Sequence, residues 1–279
     1  MTRLLIVVSA LCVSILGGQL AQAADLFPDK NLTAAIKSVL KKQGKDELKE
    51  ADLKDVFQVT ARGKGITNLT GLEKCTNLVL IDFAENGITD LKPLAGLTNL
   101  QSLTLSKNKI ADIKPLAKLV KLQYLQLDGN QVTDLASLKD IKALASLYVS
   151  DNKVKSVDPI KGLPKLYSLY LANNAIKDVK ALGEIKWLAN LDLKGNQVED
   201  ISGLAKLTEL KFTFLQNNKI KDFGALVEMA KKDAAGKQRF APYWKLYLDG
   251  NPIDAAKRDA QLKALKAAGV RVNWSPKKM

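Results

Sequence analysis

Asparagine recurs at a constant interval along most of this chain, and this periodicity constrains the fold more than any other feature. The interval is 22 from Asn86 to Asn218 and 33 from there to Asn251, so the last unit contains an insertion half a repeat long. Periods of about 20 to 50 residues are typical of proteins built from stacked units. We refer to the recurring residues as the repeat asparagines: Asn86, Asn108, Asn130, Asn152, Asn174, Asn196, Asn218 and Asn251.

Apolar residues keep the same phase as the repeat asparagines. Around Asn130, for example, they are Leu125, Leu127, Val132 and Leu138. The positions before each asparagine alternate between apolar and polar, which indicates a short strand with one buried face. A single unit cannot bury its own apolar side chains, so the units must stack. We expect the stacked asparagines to form a ladder that satisfies backbone groups outside the strands.

An aspartate lies four positions after most repeat asparagines, at the start of the return path. Aspartate is a favoured N-cap, so it predicts the start of a short helical turn. The returns are short and several contain proline, which favours 3₁₀ turns over α-helix. A row of aspartates could instead indicate calcium binding, but this spacing does not supply the dense oxygen ligands that calcium requires. The aspartates are Asp90, Asp112, Asp134, Asp178, Asp200 and Asp222.

The segment 1–23 has the pattern of a secretory signal peptide. Arg3 precedes an apolar run from Leu4 to Leu16, and Ala21-Gln22-Ala23 forms a small-x-small cleavage site. The alternative, a membrane anchor, is disfavoured because a spanning helix needs about 20 apolar residues. We therefore expect an exported protein, periplasmic or secreted after cleavage near Ala23, with no membrane-spanning segment.

The ends and the insertion depart from the repeat pattern. We expect a short second helix of the N-terminal segment from Glu47 to Val56 and a helix within the insertion that ends at Gly236. An amphipathic helix is predicted from Asp254 to Ala268, followed by a last strand at Val270 to Trp274. The predicted division is a signal peptide at 1–23, a helical N-terminal cap at 24–55, repeats at 56–253 with an insertion at about 226–242, and a C-terminal cap at 254–279.

The composition argues against most enzymatic sites. The chain has no histidine, which is the usual proton shuttle and the commonest metal ligand. No glycine-rich phosphate loop of the required spacing is present. We expect no catalytic residue, no metal and no cofactor; lysine- or carboxylate-based chemistry is the remaining enzymatic alternative. Cys75 heads a column of Leu, Ile and Met residues, so we expect it to be a buried apolar filler.

The unit L-x-x-L-x-L-x-x-N-x-I-x-D-I resembles the leucine-rich repeat of the 22-residue type, as in internalin-like and SDS22-like proteins. The resemblance extends from about Val56 to Ile253, and the segment beginning Phe27-Pro28-Asp29 resembles the internalin cap. It implies an α/β fold, namely a right-handed β/3₁₀ horseshoe solenoid with a helical N-terminal cap and a C-terminal capping helix. It also implies protein–protein interaction.

Strand alternation places the residues two, four and six before each repeat asparagine on the exposed, concave face. Aromatic residues are only 6% of the chain, yet several fall there. Tyrosine is favoured at interfaces, so we favour partner recognition; the alternative is cross-strand packing that steadies the sheet. A one-residue slip would instead hide Phe212 and Phe214 and expose Thr213. The candidate partner-binding residues are Tyr124, Tyr148, Tyr170, Asp192, Phe212, Phe214 and Tyr247.

The formal net charge of +14 makes anionic molecules candidate partners. The concave columns do not carry this excess, because three basic residues there oppose four acidic ones and sum to −1. Specific nucleic-acid binding is disfavoured because the aromatic residues and the positive charge lie on different faces. Our first hypothesis is an exported, non-enzymatic module that binds a protein or peptide on the concave face. The second is weak binding to a polyanion or the cell envelope through the basic convex surface and caps.

Overall fold

The computed structural model describes residues 26–43 and 46–274. The predicted signal peptide, residues 1–23, lies outside the described residues. Three α-helices form within the described ranges: α1 (Lys30–Val39), α2 (Gly224–Ala234) and α3 (Ala255–Ala267). None of the described helices has the length and apolar character needed to cross a membrane.

The described residues also form ten short strands in one parallel sheet, in which each strand pairs with the next one along the chain. From β1 to β8, partners on neighbouring strands are offset by one repeat, as in Leu103 beside Leu125. Across the insertion the offset is one and a half repeats, with Thr213 beside Leu246, so the insertion lengthens a return without shifting the register. The strands are β1 (Gln58–Thr60), β2 (Leu80–Asp82), β3 (Ser102–Thr104), β4 (Tyr124–Gln126), β5 (Ser146–Tyr148), β6 (Ser168–Tyr170), β7 (Asn190–Asp192), β8 (Phe212–Phe214), β9 (Lys245–Tyr247) and β10 (Arg271–Asn273).

The apolar columns form one continuous core along the stack. The middle residues of β3, β4 and β5, which are Leu103, Leu125 and Leu147, are fully buried. The core continues from Phe27 in the N-terminal segment to Val270 before the last strand. Each buried leucine contributes about 1.5–3 kcal/mol relative to an exposed one, so stacking supplies the burial that an isolated unit lacks. The predicted α/β solenoid is confirmed.

The repeat asparagines connect each unit to the one before it. Asn130 Nδ2 donates to the carbonyl oxygens of Leu105 at 3.0 Å and Leu127 at 2.8 Å. Its Oδ1 accepts from the backbone N–H of Ile110 at 3.0 Å. Leu105 and Ile110 belong to the preceding unit, and equivalent contacts recur at Asn108, Asn196 and the other repeat asparagines. The predicted asparagine ladder is confirmed.

The aspartates of the returns were predicted to be the N-caps of the helical turns, but each lies one position before the N-cap. Asp90 Oδ1 accepts from the backbone N–H of Lys92 at 2.9 Å, but the capping residue of the 3₁₀ turn is Leu91. A side-chain acceptor two positions before the donor forms an Asx turn, and this contact also orients the chain into the 3₁₀ turn. The same contact recurs at Asp112, Asp134, Asp178, Asp200 and Asp222.

The returns and the two ends follow the expected plan with different boundaries. The returns of the regular units are 3₁₀ turns, and the predicted second helix of the N-terminal cap is a shorter 3₁₀ helix, Glu50–Asp55. Helix α2 starts at Gly224, because the N–H of that residue bonds to the Asx-turn carboxylate of Asp222 at 2.7 Å. It ends at Ala234, earlier than the predicted end at Gly236. Strand β10 pairs with β9 and extends the sheet.

Candidate functional site

The sheet has one buried and one accessible face. We call the accessible side the outer face; it comprises the first and third residue of each strand and the second residue after the strand. Tyr124, Tyr148 and Tyr170 lie half-buried on it, and Phe212 is 36% exposed. Asp192, Phe214 and Tyr247 also lie half-buried on this face. The structure therefore places all seven sequence-selected residues on one surface.

Three tyrosines form a contiguous cluster across β4, β5 and β6. The rings of Tyr148 and Tyr170 stack with centroids 4.7 Å apart and planes 5° apart. Tyr124 lies diagonally, 5.3 Å from Tyr148 between ring centroids and tilted by 41°. Parallel pairing produces this stack, because Tyr148 and Tyr170 are register partners. We call Tyr124, Tyr148 and Tyr170 the tyrosine cluster; its rings are ordered before any partner arrives, which reduces the entropy lost on binding.

A hydrogen-bonded chain holds one edge of the tyrosine cluster. The hydroxyl of Tyr124 donates to Gln126 Oε1 at 2.9 Å, and Gln126 Nε2 donates to Asp128 Oδ2 at 3.0 Å. The backbone N–H of Ser150 donates to Asp128 Oδ1 at 2.7 Å. Gln126 and Asp128 are thus positioning residues that the sequence analysis missed. Their alternate spacing after Tyr124, which puts all three on one face, was the available signal.

A second aromatic pair lies further along the sheet, with Asp192 between the two aromatic groups. Phe214 and Tyr247 stack with centroids 4.6 Å apart. Asp192 is the register partner of both Tyr170 and Phe214. The outer face therefore presents a row of aromatic rings interrupted by one carboxylate.

Two acidic groups of this face, Asp128 and Asp192, are desolvated. Burial raises the pKa of Asp192, and the carboxylates of Asp128 and Asp151 contribute further to this rise. Burial also raises the pKa of Asp128. Within the described part of the chain, none of these three carboxylates forms a salt bridge. The carboxylates of Asp128 and Asp192 on the outer face therefore have no salt-bridged counter-ion among the described residues, although the nearby ammonium of Lys194 partly offsets the rise in the pKa of Asp192.

The register of β8 follows the regular phase. Thr213 is fully buried, and its hydroxyl accepts a hydrogen bond from Trp244 Nε1 at 2.8 Å. This bond explains a polar residue in a core column, because a buried indole N–H needs an acceptor. Phe212 and Phe214 consequently face outward, and Lys245 Nζ lies 5.0 Å from the ring centroid of Phe212.

Cys75 is fully buried, as predicted for an apolar filler. Burial raises the pKa of its thiol to about 12, with a further contribution from the carboxylate of Glu73. A thiol with such a pKa is protonated near neutral pH and is a poor nucleophile. Within residues 26–43 and 46–274, no three acidic or cysteine side chains converge in a way that could hold a metal ion.

We expect Asp192→Asn to raise the melting temperature at about pH 7 by up to a few degrees. The raised pKa of Asp192 means that the folded state disfavours its ionised form, so ionisation costs stability above the folded pKa and not below the unfolded pKa of about 3.9. The amide retains an acceptor for the N–H of Lys194, which bonds to Asp192 at 2.9 Å. Thermal unfolding at about pH 7 and pH 3 should show the difference shrinking in acid.

Asp200→Asn is the matched control, for which we expect a change in melting temperature of the opposite sign. The backbone N–H of Ser202 lowers the pKa of Asp200, so its ionised form stabilises the fold above the unfolded pKa. This variant should melt at a lower temperature than the parent near neutral pH. A lower melting temperature for Asp192→Asn as well would contradict the desolvation of Asp192.

Known proteins share the repeats and the fold. A family model described as leucine-rich repeats (two copies) matches residues 98–140 and 142–184, and no curated protein matches the chain. Internalin C2 of Listeria monocytogenes is 25% identical with a TM-score of 0.63, and the match covers 90% of this chain and 95% of internalin C2.

Two further solved structures share the fold. A leucine-rich repeat protein of Leptospira interrogans is 20% identical, with a TM-score of 0.57 and coverage of 74% of this chain and 57% of that one. The ectodomain of the Arabidopsis thaliana receptor kinase GASSHO1/SCHENGEN3, solved in complex with CASPARIAN STRIP INTEGRITY FACTOR 2, is 23% identical. Its TM-score is 0.58, and the match covers 68% of this chain and 23% of the ectodomain. The chain therefore contains leucine-rich repeats within residues 98–184, and its parallel solenoid is similar in fold to internalin C2.

Proposed function

We propose that this protein is an exported, non-enzymatic interaction module that binds a protein or peptide on its outer face, which we predict to be concave. Leucine-rich repeat folds commonly serve as protein-interaction modules, but the fold alone is only an analogy for function. The observation that carries the proposal is the ordered tyrosine cluster beside Asp192 and the Phe214–Tyr247 pair. Export rests on the sequence pattern of residues 1–23.

The chemistry of the outer face favours a partner segment that carries lysine or arginine. A cation placed between Tyr170 and Phe214 would meet aromatic rings on both sides and the carboxylate of Asp192. Cation–π contacts and charge-assisted hydrogen bonds both strengthen when the groups are desolvated. Such a cation would also lower the raised pKa of Asp192 towards its ordinary value. The affinity for such a segment should therefore be highest above the pKa that Asp192 has in the unbound protein, and it should fall as the pH drops through that pKa.

The tyrosine cluster is tested by the double variant Tyr148→Ala/Tyr170→Ala. The probes are peptides selected from a random library for binding to the exported chain. The mass of that exported chain also tests cleavage after Ala23. Because each buried interface tyrosine contributes about 2 kcal/mol, we expect the affinity of selected peptides to fall at least about 100-fold. The melting temperature should fall by only a few degrees, since a stacked pair contributes about 0.5–1.5 kcal/mol. Titration calorimetry measures the first quantity and thermal unfolding the second.

Ser102→Ala/Thr104→Ala is the matched control, because both residues lie on the same face of β3 outside the tyrosine cluster. This control should bind the selected peptides as the parent does. Selected peptides should also be enriched in lysine or arginine, and Asp192→Asn should weaken their binding. Full affinity in the tyrosine double variant would place the binding surface elsewhere.

A further inference from the structure

The insertion builds a cavity on the return side of the solenoid, away from the outer face. Between the 3₁₀ turn Ser202–Lys206, helix α2 and the loop that follows it lies an open cavity of about 570 Å³. Leu207, Met229 and Phe240 supply apolar wall. This volume lies within the range of about 300–1,000 Å³ that is usual for small-ligand sites. Insertions in repeat proteins map to loops on one face of the solenoid, which is often a binding face.

A second, smaller depression adjoins this cavity. It measures about 320 Å³ and shares Lys206, Thr208 and Arg239 with the larger cavity. It extends the surface to Lys186 and Trp187. The side chain of Trp187 is 60% exposed, which is unusual for so large an apolar ring. The two depressions form one continuous surface, which we call the insertion groove.

The insertion groove is basic. Its lining includes Arg239 and four lysines, namely Lys186, Lys206, Lys232 and Lys237. In the described ranges none of these four lysines forms a salt bridge. Four cations around one concavity raise the local concentration of anions.

The acidic residues of the insertion groove are already engaged. Asp233 accepts hydrogen bonds from the backbone N–H groups of Arg239 at 3.0 Å, Phe240 at 3.1 Å and Ala241 at 2.9 Å. Its carboxylate therefore shapes the loop that walls the larger cavity. Glu209 pairs with Arg239 at 3.2 Å. The four lysines of the groove can therefore contact an external anion.

We propose that the insertion groove binds an anionic oligosaccharide. Lysine ammonium groups would hold its carboxylate, sulfate or phosphate groups through charge-assisted hydrogen bonds. The flat ring of Trp187 would cover the apolar face of a sugar ring at the mouth of the groove, since an exposed indole offers a large apolar area. A single-stranded nucleic acid fits less well, because it requires several aromatic platforms in succession. This proposal narrows the sequence-based hypothesis of polyanion or cell-envelope binding through the basic convex surface and caps to one defined site.

The test measures binding of a fluorescent heparin-derived hexasaccharide by anisotropy, with neutral maltohexaose and a thymidine decanucleotide as comparison probes. Lys232→Glu/Lys237→Glu should weaken hexasaccharide binding at least about thirtyfold, because two cations become two anions beside the ligand. Trp187→Ala should weaken it about three- to tenfold. Lys118→Glu/Lys161→Glu makes the same change in net charge at two exposed lysines elsewhere, and it should change the affinity less than about twofold.

Equal losses in the two charge-reversal variants would overturn the proposal, because diffuse attraction would then explain binding. Unchanged affinity in Trp187→Ala, or tighter binding of the decanucleotide than of the hexasaccharide, would also overturn it. Sedimentation with lipopolysaccharide vesicles distinguishes binding of a free glycan from binding of a lipid-borne one. Binding of the hexasaccharide supports the proposal whether or not the vesicles bind. Binding of the vesicles without binding of the hexasaccharide contradicts it. Tyr148→Ala/Tyr170→Ala should leave hexasaccharide binding unchanged, so this proposal and the peptide-binding proposal can fail separately.

Discussion

Asn130→Ala is expected to lower the free energy of unfolding by about 3–6 kcal/mol, since each buried polar group left without a partner costs about 1–3 kcal/mol. The substitution removes the donors to the carbonyl oxygens of Leu105 and Leu127 and the acceptor for the N–H of Ile110. Asn130 is 8% exposed, so water cannot easily replace the amide. Urea-induced unfolding followed by circular dichroism measures the loss.

Two further variants isolate the cause. Gln131→Ala changes the exposed neighbour of Asn130 and should alter stability by less than about 0.5 kcal/mol. Asn130→Asp keeps an acceptor for Ile110 but removes both donors, so it should be destabilised as well. A loss below about 1 kcal/mol in Asn130→Ala would show that the ladder contributes less than an ordinary hydrogen bond network.

Trp244→Ala is the second large effect, with an expected loss of about 4–6 kcal/mol, because removing a buried tryptophan costs about 3–5 kcal/mol and a stranded hydroxyl adds about 1 kcal/mol or more. Trp244 is fully buried, packs edge to face on Phe240 with centroids 5.5 Å apart, and donates to Thr213. It thereby connects the lengthened unit to the regular array. Tyr243→Ala, at a neighbouring residue that is 64% exposed, is the control and should change stability little.

A double-mutant cycle separates the hydrogen bond from the packing. Trp244→Phe keeps an aromatic ring but leaves the hydroxyl of Thr213 without its donor, whereas Thr213→Val leaves the indole N–H without its acceptor. The combined variant has neither orphaned group, so it should be more stable than the sum of the single losses predicts by about 1 kcal/mol or more. Strictly additive losses would show that this bond does not explain the threonine in the core column.

The regular part of the fold was predictable because every unit meets the same environment. The phase of Leu103, Leu125 and Leu147 identified the buried face of each strand, and Asn130 and its equivalents predicted the ladder. Nearest-neighbour stacking repeats one set of contacts, so one correct interpretation applies to every unit. The predicted N-cap at Asp90 was wrong by one position because aspartate also forms Asx turns, and the sequence does not distinguish the two contacts.

The candidate sites were predictable to different degrees. Strand alternation was sufficient to select Tyr148, Tyr170 and Asp192 as residues of one face. The positioning contact between Gln126 and Asp128 was not anticipated, because it depends on side-chain reach within that face. The insertion groove was not anticipated at all, since the insertion has no periodicity from which its path could be inferred.

The sequence by itself determined the repeating unit, the direction in which each strand residue points and the order of the strands, because these depend on local alternation and on identical neighbours. Only the tertiary structure decided which side chains meet across the non-repeating insertion. Trp244 reaches back to Thr213 in the preceding unit, and the cavity walls bring Lys206 beside Arg239. Such contacts depend on how one irregular loop packs against the array, and side-chain spacing along the chain does not encode that path.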